Sequence, residues 1–577
     1  MIRPPTIRLT LSAFLLFAVA VLTVSSAGTE ITPKADLAFL GGKIVTLDDD
    51  RPVAQAVSVH GDTIIAVGSD ETIRALICDN TKVIDLKGRL LIPGFIESHA
   101  HFMGLGKSLM RLRLGTARNY DEIVAMVKDA VSKAKPGEWI LGRGWHQEKW
   151  DRMPLPNVEG LPTHYALSEI SPDNPVMLIH ASGHAIMANA KAMELAGVTR
   201  ETLNPEGGEI VRNASGDLIG IFRENAETLI DAAYDRSLSS RTAEQIRADE
   251  LKAIELATEE CLSKGITTFC DAGVSLETID LYRQLADQGR LGVRLYAMLS
   301  DGNQVLEPVL PEYFLIGYGN HFLTVRAIKR VFDGALGSHG ASLLEPYSDL
   351  PNSTGLNTET IPTMQETARL ALKHGFQFCT HAIGDRANRE VLNIYEEALK
   401  ADPQGEEHRW RIEHAQHLHP DDIPRFHQLG VVAAMQGVHC TSDGPWVPKR
   451  IGDQRAAEGA YVWRKLLQSG AIVVNGTDAP VEDVDPIACF YSSVTRRLPD
   501  GSRFYPDQCL TREEALRSYT RDAAYAMFEE DIKGTITPGK LADLVVLSQD
   551  ILAIPDDEVP QTEVEMTIVG GKVVFVR

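Results

Sequence analysis

The middle of the chain alternates short apolar runs with longer helical patterns. From residue 90 onward eight such runs follow one another, and helical patterns separate most of them. Apolar runs bounded in this way are typical of buried parallel strands, and they read LLIPGFIESHAH, ITTFCDAG, GVRLYAML, VRAIKRVFDG, FQFCTHAIGD, WRIEHAQ, GVVAAMQG and AIVVNGTDAP. Eight strand–helix units predict an α/β fold with a TIM-type (β/α)8 barrel over residues 93–534, rather than an open sheet.

The connection between the first and second of these runs is far too long for a single strand–helix unit. It ends in RTAEQIRADELKAIELATEECLSKG, a long amphipathic helix candidate for which Gly265 is the stop signal. Residues 104–245 are therefore expected to hold an inserted subdomain above the barrel mouth. The insert is rich in Trp, Gly and Pro, which suits a cap that shapes a substrate pocket.

The two ends of the folded region share a different pattern, with short β-type runs broken by glycine and aspartate. It covers residues 35–92 and returns over residues 535–577. Because chain termini often lie close together, we expect both segments to form one composite β-sandwich domain that flanks the barrel.

Residues 1–27 differ from the rest of the chain. Arg3 and Arg8 give a positive start, an apolar run covers residues 9–24, and small residues precede position 28. This pattern predicts a secretory signal peptide, and the alternative is an uncleaved membrane anchor. We expect an exported protein, periplasmic or secreted, with no stable membrane anchor after cleavage.

Composition and charge narrow the function classes. Of the 577 residues, 44% are hydrophobic and 24% charged, which excludes a disordered, collagen-like or polytopic membrane chain. The formal net charge of −22 makes nucleic acid and anionic lipid poor partners, so a small-molecule substrate is the expected partner. The seven cysteines form no CxxC pair and no disulfide framework, and a homodimer is the default expectation for assembly.

Residues of types that bind metals in proteins lie at five of the eight predicted strand ends. His99 and His101 are two apart on one strand, so both imidazoles face the same side. The other strand ends carry Lys329, His381, His414 and Asp478. Because the carboxyl ends of barrel strands converge on one mouth, these six residues predict a metal site there.

At these residues the sequence resembles the metal-dependent amidohydrolase superfamily. It is most similar to amidohydrolase family 3, the branch with N-substituted formamide deformylase-like proteins, over nearly the whole chain after residue 34. The matching stretches are PGFIESHAHF, IKRVFDGALGSHGASLLEPYSD, THAIGDRAN, RIEHAQ, NGTDAPVEDVDP and GTITPGKLADLVVL. One departure is Glu97, where many superfamily members have aspartate.

The resemblance implies two divalent metal ions. His99 and His101 would hold the more buried ion, and His381 and His414 the second. Lys329 matches the lysine that CO₂ converts to a bridging carbamate, and Asp478 matches the aspartate that binds metal and transfers a proton. Zn²⁺ suits these ligands best, with Mn²⁺, Co²⁺ or Fe²⁺ as alternatives.

The residues themselves leave alternatives open for two of these positions. Because an ammonium group cannot bind a cation, Lys329 is either modified, deprotonated or paired in a salt bridge with Asp333 or Glu413. Asp478 is either the general base, which later protonates the leaving nitrogen, or a helix N-cap before Pro480.

Further residues are weaker candidates for substrate contacts. His184, Trp145, Arg223 and His339 are candidate pocket residues, although a loop histidine or a tryptophan in the cap core explains the first two equally well. His417 and His419 are interpreted as a solvated loop.

The pattern favours a metal-dependent hydrolase acting on a C–N bond of a small amide or formamide. Two adjacent ions lower the pKa of a bridging water, which then attacks the carbonyl as hydroxide. One alternative is a mononuclear deaminase-type hydrolase, which has no need of Lys329. Another is a non-catalytic secreted regulatory or binding protein on the same scaffold, which has no need of any of the six ligands.

Overall fold

A parallel barrel forms the centre of the molecule. The computed structural model describes residues 33–239, 241–402 and 407–577. The eight barrel strands, in chain order, are Phe95–Ala100, Ile266–Val274, Arg294–Leu299, Leu323–Val331, Gln377–Ala382, Arg411–His414, Val432–Gln436 and Val473–Gly476. Backbone hydrogen bonds from Asp478 N to His99 O and from His101 N to Ala479 O, both 2.8 Å, join the last strand end to the first. The predicted barrel is confirmed.

Helices surround the barrel and pack on it through buried apolar faces. The predicted long helix spans Ala243–Ser263, begins with a capping box at Thr242 and ends before Gly265, whose φ of +77° suits glycine. The other helices of this region are Phe102–Leu109, Leu276–Asp287, Asn303–Leu306, Leu310–Tyr313, Tyr318–His321, Ile361–His374, Asp385–Lys400, Ile423–Gln428, Gly437–Asp443, Val447–Ile451, Asp453–Gly459, Trp463–Gln468, Pro486–Thr495, Arg512–Ser518 and Arg521–Ala526.

The insert is a separate mixed sheet beside the barrel mouth. In spatial order its strands are Gly208–Arg212, Leu218–Glu224, Ala185–Ala188, Val176–His180, Ile140–Trp145 and Leu112–Arg113. Its helices are Tyr120–Lys133, Tyr165–Ile170, Ala190–Ala196 and Thr228–Leu238, and a short strand pair joins Asn157–Val158 to Leu161–Pro162. Two apolar clusters, one on each face of the sheet, give the insert a core of its own.

Strands from both chain ends pair in one sheet. Leu544–Leu547 lies antiparallel to Leu90–Pro93, which in turn pairs with Lys43–Val45. Val53–Ala54, Val564–Val569 and Lys572–Val576 complete this sheet. A second sheet holds Leu37–Leu40, Ala56–His60, Thr63–Gly68 and Lys82–Asp85, with the helix Asp70–Arg74 beside it. This flanking composite β unit is the one expected from the sequence.

The signal peptide predicted for residues 1–27 lies outside the described residues. Within the ranges that the structure describes, none of the helices combines the length and the apolar character that a membrane span requires.

A buried ion pair joins the barrel to the composite β unit. Arg294 donates to both oxygens of Asp543 at 2.7 and 3.0 Å, and both side chains are almost fully buried. Asp543→Ala leaves the guanidinium without its carboxylate, so we expect it to lower the free energy of unfolding by about 3–5 kcal/mol. Urea unfolding measures the loss.

The matched control is Glu122→Ala, which breaks an exposed pair with Arg118 on the surface of the insert. We expect it to cost less than about 1 kcal/mol. Equal losses of unfolding free energy in the two variants would show that the buried Arg294–Asp543 pair stabilises the fold no more than an exposed pair does.

Candidate metal centre

His99 lies at the end of the first barrel strand and is held by a carboxylate. Its Nδ1 is hydrogen-bonded to Glu413, which also accepts bonds from Arg411 Nε at 2.7 Å and Nη2 at 2.9 Å. All three side chains are buried. Because Glu413 fixes Nδ1–H, the Nε2 atom of His99 is left as a lone-pair donor, and burial lowers the pKa of this imidazole to about 4.

Asp478 faces His99 from the end of the last strand. Its Oδ1 lies 3.6 Å from His99 Nε2 and 3.2 Å from His101 Nε2. Burial alone raises the pKa of a carboxyl group, but the neighbouring imidazoles of His101, His99 and His414 hold the pKa of Asp478 well below its usual range. The φ of +58° at Asp478 is an uncommon conformation for a residue other than glycine, as often found at functional sites.

His414 lies between His99 and His381. Its ring centroid is 4.7 Å from that of His99 and 4.4 Å from that of His381. Its Nδ1 lies 2.8 Å from the Gln436 amide oxygen, which only accepts hydrogen bonds, so Nε2 is again the free lone-pair donor. One ligand atom each from His99, His414 and Asp478 lies within 4.8 Å of the others.

His381 and Lys329 complete the set from the neighbouring strands. The Nε2 atom of His381 is buried and lies 3.6 Å from Asp333 Oδ1. Lys329 is buried, and burial lowers its pKa. Within the described residues Lys329 forms no ion pair with Asp333 or Glu413.

Both carboxylates are already engaged elsewhere. Asp333 accepts backbone N–H bonds from Ser342, Ile383 and Gly384 at 2.8–2.9 Å. Glu413 is bound by Arg411 and His99, so among the described residues Lys329 forms no ion pair with either carboxylate.

The residues present fit a divalent metal ion. His99 Nε2, His381 Nε2 and Asp478 Oδ1 are buried and have no hydrogen-bond partner in the described chain. Such orphaned polar atoms are costly, and a cation bound between His99 Nε2 and Asp478 Oδ1, which lie 3.6 Å apart, would satisfy those two. Neutral imidazoles and carboxylate oxygens are ligands that Zn²⁺ and related ions prefer.

Glu97 supports the site without pointing into it. Its carboxyl oxygens accept bonds from the Thr477 N–H at 2.8 Å and the Thr477 hydroxyl at 3.0 Å. These bonds tie the first strand to the last, directly beside Asp478. The departure from aspartate at this position therefore affects how the two strand ends are joined.

One of the four candidate substrate contacts lies at the site. His184 has its ring centroid 5.0 Å from that of His381, and its Nδ1 lies 2.6 Å from Glu224 Oε2. Although burial disfavours a charged imidazole, Glu224 raises the pKa of His184.

The structure places the other three candidates in different surroundings. Trp145 packs in the core of the insert, and its indole N–H donates to Leu178 O at 2.9 Å. Arg223 forms ion pairs with Glu159 and Glu209. His339 is paired with Asp349 and packs against Tyr347, so all three stabilise the insert or the adjoining loop.

The interpretation of His417 as part of a solvated loop is wrong. Only 3% of this residue is exposed, because its N–H donates to Ile383 O at 3.0 Å and the Tyr461 ring packs beside it. His419 is partly exposed. The loop turns inward after the sixth strand, which the polar sequence around it does not indicate.

The burial of His417 has a measurable consequence. Desolvation lowers its pKa from 6.5 to about 3. Between these values the unfolded chain binds the additional proton, so the folded state loses stability as the pH falls. His417→Gln removes this titration, and we expect the stability lost between pH 7 and pH 5 to shrink by about 2 kcal/mol. Equal losses in wild type and variant, measured by urea unfolding at both pH values, would contradict this.

Two adjoining cavities open at the barrel mouth. The inner one is lined by His184, His381, His414 and Asp478 among others. The outer one measures about 260 Å³ and lies between the insert and the loop after the last strand. They share part of their walls, formed by His146, Lys149, Ala181, Val481 and Glu482.

Sequence reasoning missed the residues that orient the ligands. The sequence suggests Glu413 only as a partner of Lys329 and does not indicate a role for Gln436 or Glu224. The spacing of Arg411 and Glu413 in RIEH indicates that these two side chains are neighbours, because residues two apart on a strand point to the same face. Nothing local indicates that Glu224 meets His184.

A barrel with histidines and an aspartate at its strand ends is the architecture of metal-dependent hydrolases. A model of the amidohydrolase family matches residues 82–575, and this chain belongs to that family. Protein LONG AFTER FAR-RED 3 of Arabidopsis thaliana is 33% identical over 98% of this chain and 97% of its own length. N-substituted formamide deformylase of Arthrobacter pascens is 27% identical over 95% of this chain and 99% of its own length.

Among solved structures, an uncharacterized metal-dependent hydrolase from Pyrococcus furiosus is similar, with a TM-score of 0.68 and 29% identity. The match covers 89% of this chain and 99% of that one. The resemblance predicted from the motifs is confirmed, and family and fold together support a metal-dependent hydrolase.

Proposed function

We propose that the protein hydrolyses a C–N bond of a small amide or formamide. The observation that carries this is the convergence of His99, His414 and Asp478, where His99 Nε2 and Asp478 Oδ1 are buried and have no hydrogen-bond partner among the described residues. A divalent ion bound there supplies Lewis acidity, lowering the pKa of water and polarising a carbonyl group.

The protein residues then have separate tasks. His99, His101, His381 and His414 would hold the ions, most favourably Zn²⁺, and Lys329 would add an anionic oxygen ligand as its carbamate. The lowered pKa of Lys329 supports this, because the neutral amine is the form that reacts with CO₂. Asp478 accepts the proton of the attacking water and returns it to the leaving nitrogen.

His184 is suited to a task at the substrate. It lines the inner cavity beside His381, and Glu224 fixes its Nδ1. Its Nε2 is therefore the atom that contacts the carbonyl oxygen of a bound amide. This assignment places one group from the insert in the active site.

A mononuclear deaminase-type centre is the second candidate. The compact group of three ligands, His99, His414 and Asp478, favours it because one ion satisfies all three. Lys329 distinguishes the two candidates, since only the binuclear centre requires its carbamate.

Elemental analysis of the purified protein beside Lys329→Ala tests the choice. We expect about two ions per chain in wild type and one or fewer in the variant. One ion in both proteins would favour the mononuclear centre. The metallated protein is then offered formanilide and other amides, and release of amine is measured.

A fully metallated protein that hydrolyses no member of a broad amide panel would contradict the hydrolase and favour a non-catalytic binding protein. Chelation followed by addition of Zn²⁺ and bicarbonate is the control, and it should restore the activity that chelation removes.

We also propose export, which rests on the sequence of residues 1–27. Mass analysis of protein recovered from a bacterial periplasm or medium tests it. A mature chain beginning near residue 28 is expected, and a full-length chain retained in membranes would contradict it.

A further inference from the structure

The outer cavity contains a cation that forms no ion pair with a carboxylate of the described residues, although Asp478 and Glu227 lie near enough to favour its charged form. Arg143 lies on the strand Ile140–Trp145 of the insert and lines this cavity. Its Nε and Nη2 make only long bonds, 3.4 Å to Pro480 O and 3.3 Å to Ala181 O. Its Nη1 has no hydrogen-bond partner among the described residues, and the guanidinium forms no ion pair there. Burial lowers the pKa of Arg143 only to about 10, so the group stays charged.

The other charges of the cavity leave Arg143 available. Lys149 is paired with Glu482 at 2.8 Å and Arg113 with Asp483 at 3.4 Å, so these four neutralise one another. Glu260 also lines the cavity. It forms no ion pair with Arg143, so the two charged groups lie more than 4 Å apart. A partly buried guanidinium with a free N–H is costly unless an anion binds it.

Apolar side chains form much of the same wall. Leu105, Leu109, Trp150, Val481 and Val484 line the cavity around the polar groups. Pro480 and Val481 lie two and three positions after Asp478, and the outer cavity shares a wall with the inner one that Asp478 lines, so it leads to the reacting groups. The cavity therefore suits an apolar or aryl group that packs against this wall and carries an anionic substituent, which lies at Arg143.

We propose that Arg143 is the specificity-determining residue for a substrate that carries a carboxylate on an apolar or aryl group beside the scissile amide. This substrate class rests on the hydrolase function proposed above. The guanidinium binds the carboxylate in the outer cavity, and the amide then lies toward Asp478 and His184.

Paired substrates measure this specificity. The value of kcat/KM is determined for 4-carboxyformanilide and for formanilide, which differ only in the carboxylate. Wild type should favour the carboxylate, and Arg143→Gln should lower that ratio by about tenfold to a hundredfold, the range expected for a charge-assisted hydrogen bond. Arg118→Gln is the matched control, because it removes the same charge from the exposed surface of the insert, outside the cavity, and it should keep the wild-type ratio.

A binding measurement separates this inference from the hydrolase function. Calorimetry on the metallated protein compares 4-aminobenzoate with 4-aminobenzamide. If 4-aminobenzoate binds more tightly and loses that advantage in Arg143→Gln, while neither formanilide nor any member of the broad amide panel is hydrolysed, Arg143 recognises the anion and the proposed reaction is wrong.

Three results overturn the assignment of Arg143. They are equal binding of both aminobenzoyl compounds by wild type, an unchanged preference in Arg143→Gln, and an equal loss for charged and neutral compounds in that variant. The last result would identify Arg143 as a structural tie between the Ala181 and Pro480 carbonyls. Metal content is measured for every variant so that loss of the ions is not mistaken for loss of anion binding.

Discussion

Asp478→Asn should lower kcat/KM by about a thousandfold or more while the protein remains folded. Asparagine preserves the size of the side chain, but it cannot accept a proton from water or return it to the leaving nitrogen, and general acid–base groups contribute about 10²–10⁴-fold. The same substitution also removes the negative charge that faces His99 and His101. The measurement is steady-state hydrolysis of an amide that the wild type accepts, with metal content determined in parallel.

Asp483→Asn is the matched control for this experiment. Asp483 belongs to the same loop, but its side chain is 87% exposed and forms an ion pair with Arg113 at the surface. It should retain most of the wild-type activity. An Asp478→Asn protein with full metal content and nearly normal activity would refute the role of Asp478 in proton transfer.

Glu413→Gln should have the second large effect, on both stability and metal affinity. Glu413 neutralises the buried guanidinium of Arg411 and orients His99. Glutamine leaves Arg411 without a counter-charge, which should cost about 3–5 kcal/mol of unfolding free energy. Loss of the fixed orientation of His99 should weaken metal binding about 10–100-fold. Urea unfolding and competition with a chelator measure the two effects.

Glu97→Gln provides the comparison for Glu413→Gln. Glu97 is equally buried, but burial raises its pKa to about 8 and its partner is Thr477 rather than a cation. Glutamine resembles the neutral carboxyl group, so the loss should be clearly smaller than for Glu413→Gln. Losses of equal size would mean that the charge of Glu413 is unimportant to the fold.

The barrel and the convergence of its strand ends could be predicted because both depend on local pattern. Each apolar run predicts a strand, and parallel strands in a barrel necessarily bring their carboxyl ends together. His99 and Asp478, 379 positions apart in the numbering, therefore meet for reasons visible in short segments.

The partners that orient these ligands could not be predicted in the same way. Glu413 meets His99 across 314 residues, and His184 meets Glu224 only because the insert folds over the mouth. For Arg223 and His417, the sequence suggests surroundings that the structure does not have. Their sequence neighbourhoods suggest a pocket and a solvated loop, but tertiary packing gives Arg223 two carboxylates and buries His417 beside Tyr461.

Anomalous X-ray diffraction from crystals reconstituted with Zn²⁺ and bicarbonate tests the metal centre most directly. We predict an anomalous peak within the cluster of His99, His414 and Asp478, whose ligand atoms lie within 4.8 Å of one another. A second peak beside His381 and Lys329 is expected if the centre is binuclear. Anomalous scattering only at the protein surface, with the His99–Asp478 cluster clear of metal, would contradict the account.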